Sequence, residues 1–320
     1  MKKKIIIISG DPNSINSEII FKCWKKLSKK LKSQIYLISN YSLMKNQLKK
    51  LNYNLKMEKV NNIDEGSENT LKVFNLNLKF KNPFKVQKKY ASKFLLNSLD
   101  LAHKLALNES VIGVINCPLS KKLLNSNHIG VTEYLASKCR VTDNSEVMLI
   151  KSKKLSVCPI TTHVNIKEVS NKLNSSIIQK KIKTINTWYK KRYKKKANIG
   201  ILGLNPHNAE YKKNSEELKI ITPAIKKLKK TKIKVTGPLV ADTLFIKDYK
   251  NYDVIVGMYH DQVLTPLKTL YKYNAINITL GLKYLRVSPD HGPAINLINK
   301  KIANPDSLLN CIKFVVNSNK

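Results

Sequence analysis

Short apolar runs alternate along the chain with longer segments in which hydrophobic side chains return every three or four positions. Residues 4–9, 34–39, 111–116, 199–204 and 254–258 are rich in β-branched and aliphatic residues and have the length of buried strands. Residues 17–31 place Ile19, Ile20, Cys23, Trp24 and Leu27 on one side of a helix. Residues 86–107 do the same with Ala91, Leu95, Leu99, Ala102 and Ala106, and residues 306–316 read as a further helix. Strands that alternate with helices predict an α/β fold, a largely parallel sheet with helices on both faces. No internal repeat is visible. Residues 61–70 and 317–320 read as irregular.

With 320 residues, 42% of them hydrophobic, the chain has the length and the apolar content for two domains of ordinary size. The opening "MKKKIIIISGDP" contains only four consecutive isoleucines, too few for the apolar part of a signal peptide, and no run approaches the ~20 apolar residues of a membrane span. The five cysteines show no Cys-x-x-Cys spacing, which predicts a reduced, cytoplasmic protein without a membrane anchor. The formal net charge is +38, yet only Arg140, Arg192 and Arg286 of the 59 basic residues are arginines. Bidentate reading of bases and phosphates favours arginine, so a lysine excess spread along the chain fits a solvated surface better than a dedicated nucleic-acid reader. The densest basic cluster, "WYKKRYKKKAN" at 188–198, has interleaved aromatics that suit RNA. It also suits the basic end of a helix followed by a loop.

Candidate chemistry gathers just past the apolar runs. "VIVGMYHDQVLTPLK" carries a strand-like run straight into His260, Asp261 and Gln262, with Lys268 one or two helical turns on. His163 follows "CPITT" and His207 follows "ILGLNP", while His291 sits in "SPDHGP". Ligands of open α/β sheets bind beyond the carboxyl ends of the strands, and in a parallel sheet those ends share one edge. His163, His207 and His260 are therefore candidates to converge on a divalent ion. A single histidine in such a place is more often a surface or core residue, and the long gaps between the three form no compact zinc motif. Lys268, Asn277 and Arg286 have the character of anion-binding groups, Arg286 because its planar fork matches carboxylate or phosphate. For Arg286 a surface position on a strand is an equal reading. Thr132 opens a helix-like run after Gly130, where free backbone N–H groups suit phosphate.

The ordered blocks "GVTEYLA", "GLNPHNAE", "GPLVADTLF", "MYHDQVLTPLK" and "NITLGLKYLRVSPDHG" resemble the 4-hydroxythreonine-4-phosphate dehydrogenase family of the vitamin B6 pathway. "ISGDPNSINSEI" and "NCPLSKKLL" fit as well, so the resemblance covers nearly the whole chain. It implies an isocitrate/isopropylmalate dehydrogenase-like fold, two α/β domains with a cleft between them, and a homodimer with a shared active site. The implied division is 1–125 plus 286–320 for the first domain and 126–285 for the second. The resemblance implies His163, His207 and His260 as metal ligands, for Zn, Mg, Mn or Co, and Thr132, Lys268, Asn277 and Arg286 as substrate contacts. It implies NAD- or NADP-dependent oxidation of 4-phosphohydroxy-L-threonine with loss of CO₂. Lys121, Asp242, Asp261 and Asp290 are candidates for the proton acceptor, and the residues that hold the nicotinamide cofactor are left open.

Two positions depart from the family pattern. Val131 stands where the family usually has a phosphate-contacting histidine, with His128 nearby, and Ser14 and Asn16 stand in an N-terminal loop that is usually richer in glycine. Asparagine tolerates the left-handed conformation such a loop requires. Val131 keeps open a sister activity on another phosphorylated hydroxy acid, such as a threonate or erythronate 4-phosphate. An RNA-binding protein on an inactive enzyme scaffold is the alternative from another class.

Overall fold

The computed structural model describes residues 3–124, 130–272 and 274–319. In chain order the first elements are β1 (Lys4–Ile8), α1 (Asn16–Lys26), α2 (Lys29–Lys32), β2 (Ile35–Ser39), α3 (Tyr41–Lys50), β3 (Met57–Val60), β4 (Leu71–Asn75), α4 (Lys88–Ala106), β5 (Val111–Asn116) and α5 (Val131–Lys138). Then come β6 (Val147–Lys151), β7 (Ser156–Pro159), α6 (Val169–Lys172), α7 (Ser175–Tyr193), β8 (Ile199–Leu202), α8 (Thr222–Lys230), β9 (Val235–Leu239), α9 (Ala241–Leu244), β10 (Val254–Gly257), α10 (His260–Tyr271) and β11 (Ile276–Leu280). β12 (Arg286–Pro289) and α11 (Asp306–Val316) follow.

These elements form two compact units, Met1–Lys138 with Lys283–Lys320, and Cys139–Leu282. The helix α5, which the family resemblance groups with the second domain, belongs to the first unit. Its Tyr134 hydroxyl donates to Asp100 Oδ1 on α4 at 2.7 Å, and Lys138 Nζ pairs with the same oxygen at 2.7 Å.

In the first unit the strands run in the order β3-β4-β2-β1-β5-β12, and every pair is parallel. β1 and β2 are buried along their whole length, as strands covered on both faces must be. The helix expected over 17–31 is two helices. α1 ends at Lys26, Leu27 is extended, and the Ser28 side chain accepts from Leu31 N to start α2. A serine offers the backbone a cap in place of helix continuation, which a hydrophobic pattern does not reveal. α4 buries Ala91, Phe94, Leu95, Leu99, Ala102 and Ala106, matching its three-and-four spacing.

In the second unit the order is β11-β6-β7-β10-β8-β9. β6 runs antiparallel to both neighbours, and β7, β10, β8 and β9 are mutually parallel. The core under β7 and β10 includes Val157, Ile255, Val263, Leu264 and Leu267. α7 ends at Tyr193 with Lys190, Lys191 and Arg192 in its last turn and Lys194 in the left-handed cap position. Tyr189 is buried, and Trp188 meets the Tyr193 ring edge-on at 5.6 Å. The basic cluster at 188–198 thus begins as a helix end whose aromatics pack on one another. Among the described residues no helix is long and apolar enough to cross a membrane.

Candidate active site

β7, β10 and β8 are adjacent and parallel, so their carboxyl ends lie along one edge of the second unit. His163 comes shortly after β7, His260 is the first residue of α10 just past β10, and His207 comes shortly after β8. The rings of His163 and His260 face each other with centroids 5.5 Å apart. Two imidazoles on one ion, each about 2.1 Å from it at a tetrahedral angle, place their centroids roughly 5 Å apart. The separation of the pair, with the rings tilted at 39°, is of the size that a shared divalent ion requires. His260 Nδ1 lies 2.6 Å from Asp261 Oδ1, the kind of contact that leaves Nε2 as the ligating atom. Thr162, His163, Asn165, Tyr259, His260 and Asp261 line part of a cavity of about 490 Å³.

His207 is held differently. Residues His207 to Tyr211 all have positive φ, a left-handed turn built without glycine. Such a run is strained for side-chain-bearing residues and persists only where its surroundings fix it. Glu217, fully buried, supplies part of that fixing: its Oε1 accepts from both Leu204 N and Asn205 N at 2.8 Å. The His207 Nε2 lies 3.6 Å from Asp242 Oδ2 on α9. Among the described residues, no three His, Cys, Asp or Glu side chains are gathered as a complete metal-binding group. The structure brings two of the three candidate ligands together and sets the third against an aspartate on α9.

Lys268 lies on α10, eight residues or about 12 Å along the axis from His260, on an exposed face. Asn277 lies on β11, and its Oδ1 is buried without a hydrogen-bond partner among the described residues.

The first unit has its own candidates, of which Asp11, Lys121 and Asp290 follow the carboxyl ends of the neighbouring parallel strands β1, β5 and β12. Arg286 opens β12 and is only 3% exposed, so it is not a surface arginine. Its Nε donates to Asn116 Oδ1 at 2.6 Å. Burial lowers its pKa to about 10, with Glu133 acting against that fall, so the guanidinium stays charged at neutral pH. Thr132 and Val131 are both buried in the first turn of α5. Lys121 sits in a 3₁₀ turn past β5; burial lowers its pKa and Glu133 opposes the shift. Asp290 follows β12, and His291 Nδ1 lies 3.0 Å from Gly292 O. His128 lies outside the described residues.

Asp11 is a buried carboxyl that the sequence pattern does not single out. Burial raises its pKa, while N–H groups of Asn13 (2.8 Å) and Ser120 (3.2 Å) donate to it. It thereby ties the loop after β1 to the loop that carries Lys121. The left-handed residue of this loop is Gly10 (φ 76°), where an added Cβ would lie 2.5 Å from Pro118 O. Asn16 is not the turn residue: it is helical, and its amide donates to Ser9 O at 2.8 Å and Pro118 O at 2.7 Å.

A family profile described as "Pyridoxal phosphate biosynthetic protein PdxA" matches residues 30–315. The chain belongs to the PdxA family. It is 35% identical over 320 residues to the 4-hydroxythreonine-4-phosphate dehydrogenase of Sulfurihydrogenibium sp. (strain YO3AOP1), covering 98% of this chain and 97% of the relative. It is 29% identical to the D-threonate 4-phosphate dehydrogenase of Salmonella typhimurium, covering 98% of each. The crystal structure of 4-hydroxythreonine-4-phosphate dehydrogenase from Klebsiella pneumoniae superposes with a TM-score of 0.86 at 28% identity and covers 100% of both chains. PdxA membership makes this chain a dehydrogenase and implies a nicotinamide cofactor and a divalent metal.

Proposed function

We propose that this PdxA-family chain oxidises the C3 hydroxyl of 4-phosphohydroxy-L-threonine with NAD, or NADP, in pyridoxal 5'-phosphate biosynthesis. The product, 2-amino-3-oxo-4-phosphooxybutanoate, is a β-keto acid that decarboxylates to 3-amino-2-oxopropyl phosphate. The full-length likeness to the Sulfurihydrogenibium enzyme carries this reading. The facing rings of His163 and His260 support its metal requirement.

His163, His207 and His260 would hold the ion, Zn, Mg, Mn or Co, which supplies Lewis acidity at the substrate's hydroxyl oxygen. Asp261 fixes the His260 tautomer from Nδ1. Arg286 offers a charged, pre-oriented fork for the substrate's anionic groups, with Thr132, Lys268 and Asn277 as further contacts. Lys121, whose pKa burial lowers while Glu133 opposes the shift, is one candidate for the proton acceptor, and Asp242, Asp261 and Asp290 are the others. The family assembly we propose is a cytoplasmic homodimer with a shared active site. His163 and His260 already face each other in one chain, so mixing His163→Ala with His260→Ala chains is not the complementation that tests it.

The second reading is oxidation of a threonate or erythronate 4-phosphate. Val131 favours it, because the usual phosphate-contacting histidine is absent, and so does the likeness to the Salmonella D-threonate 4-phosphate enzyme. NADH formation from 4-phosphohydroxy-L-threonine and from D-threonate 4-phosphate, compared by kcat/KM, separates the two. A larger value for the threonate ester overturns the first reading.

A further inference from the structure

Gln262 occupies the third position of α10, two residues after His260. A glutamine at this position commonly reaches back to a backbone N–H before the helix. Gln262 does so: its Oε1 accepts from Met258 N at 2.7 Å. The other half of the amide reaches a different loop, where Nε2 donates to Gly203 O at 2.7 Å. The two partners fix the orientation of the amide, since one must donate and the other must accept. Gly203 lies four residues before His207, and Met258 two before His260. On the opposite side of Met258, its carbonyl accepts from Thr161 N at 3.1 Å and Thr161 Oγ1 at 2.7 Å. Thr161 lies two residues before His163. One short chain of hydrogen bonds, Thr161 to Met258 to Gln262 to Gly203, therefore runs through the roots of all three histidine-bearing loops. β10 leaves room for it with Gly257, where an added Cβ would stand 2.8 Å from Gln262 Oε1.

We propose that Gln262 is a positioning residue that sets the spacing of the His207 loop relative to His260, with Thr161 doing the same for His163. The inference rests on the reading of these histidines as metal ligands. It explains why the residue is glutamine: a glutamate would keep the acceptor for Met258 N and lose the donor for Gly203 O. Groups that orient metal ligands from behind typically change ion affinity about 10- to 100-fold when removed.

Cobalt binding to the full-length chain, without substrate or nucleotide, is the test. Co²⁺ is titrated into wild type, Gln262→Glu, Gln262→Leu, Thr161→Val and His163→Ala, and followed by its visible absorption, with thermal melting of each metal-free protein measured alongside. We expect Gln262→Glu to melt close to wild type, because the helix start keeps its cap, and to bind Co²⁺ about 10- to 100-fold more weakly with an altered spectrum. Thr161→Val should weaken binding, with Thr161→Ser restoring it, and serves where Gln262→Leu fails to fold. Wild-type affinity and spectrum in Gln262→Glu and Thr161→Val overturn the proposal while leaving the metal reading intact. Wild-type affinity in His163→Ala overturns both.

Discussion

Arg286 in the first unit is 3% exposed, whereas the side chains of His260 and His207 in the second are 35% and 71% exposed. In the first unit the candidates are held by the fold itself. Arg286 is braced by Asn116, Asp11 by two backbone N–H groups, and Lys121 stands on a turn that Asp11 secures. In the second unit it is the loops that are braced, by Gln262, Thr161 and Glu217, while the histidine heads project from them. The difference follows from what each group must hold. An anion site works best when its cations and dipoles are fixed before binding. A metal ligand takes part of its final geometry from the ion, so what the chain fixes in advance is its backbone root and, for His260, the tautomer held by Asp261.

The contrast predicts opposite costs for substitution in the two units. His260→Ala should abolish metal-dependent NADH production and leave urea-induced unfolding of the metal-free chain nearly unchanged, since a half-exposed ring contributes little to the core. A large fall in stability would break the contrast. Arg286→Ala should do what His260→Ala does not. It removes a buried cation from Asn116 and Glu133 and should cost about 3–5 kcal/mol in urea unfolding. Arg286→Lys should cost less than Arg286→Ala, yet still raise KM for the phosphorylated substrate, because an ammonium cannot reproduce the fork.

The smallest expected effect concerns pH. Burial lowers the pKa of Lys121, and the charge of Glu133 raises it. Because the folded pKa lies below the unfolded value of 10.5, protonated Lys121 disfavours the folded state. Stability should therefore gain as pH rises through the folded pKa, with no further gain from this group above 10.5. Glu133→Gln removes the opposing charge and should move the Lys121 titration, followed by NMR of the labelled lysine, to lower pH. Movement to higher pH would contradict the assignment of Glu133 as its neighbour.

What the sequence revealed was governed by local pattern. The continuous apolar runs of β1 and β5 and the amphipathic α11 were legible because burial on both faces, or on one face, writes itself into residue spacing. The break at Ser28 and the antiparallel β6 were not, since the first depends on a side-chain cap and the second on which strands it pairs with. The three histidines stood out because each follows a strand-like run. Gln262 stood out only as the amide beside His260, and its role stayed hidden because its partner, Gly203, lies 59 residues away in the chain. The burial of Arg286 was equally hidden: on the sequence alone, a surface position weighed the same as an anion site. Only the packing of β5 and α5 around it removes the surface reading.

The most direct test of the central claim is NADH formation by the chelator-treated chain supplied with NAD and 4-phosphohydroxy-L-threonine, before and after adding Zn²⁺, Mn²⁺, Co²⁺ or Mg²⁺. We expect no turnover without metal, and with it one CO₂ released for each NADH formed. Full turnover in the metal-free sample, or none with any of the four ions, would contradict it.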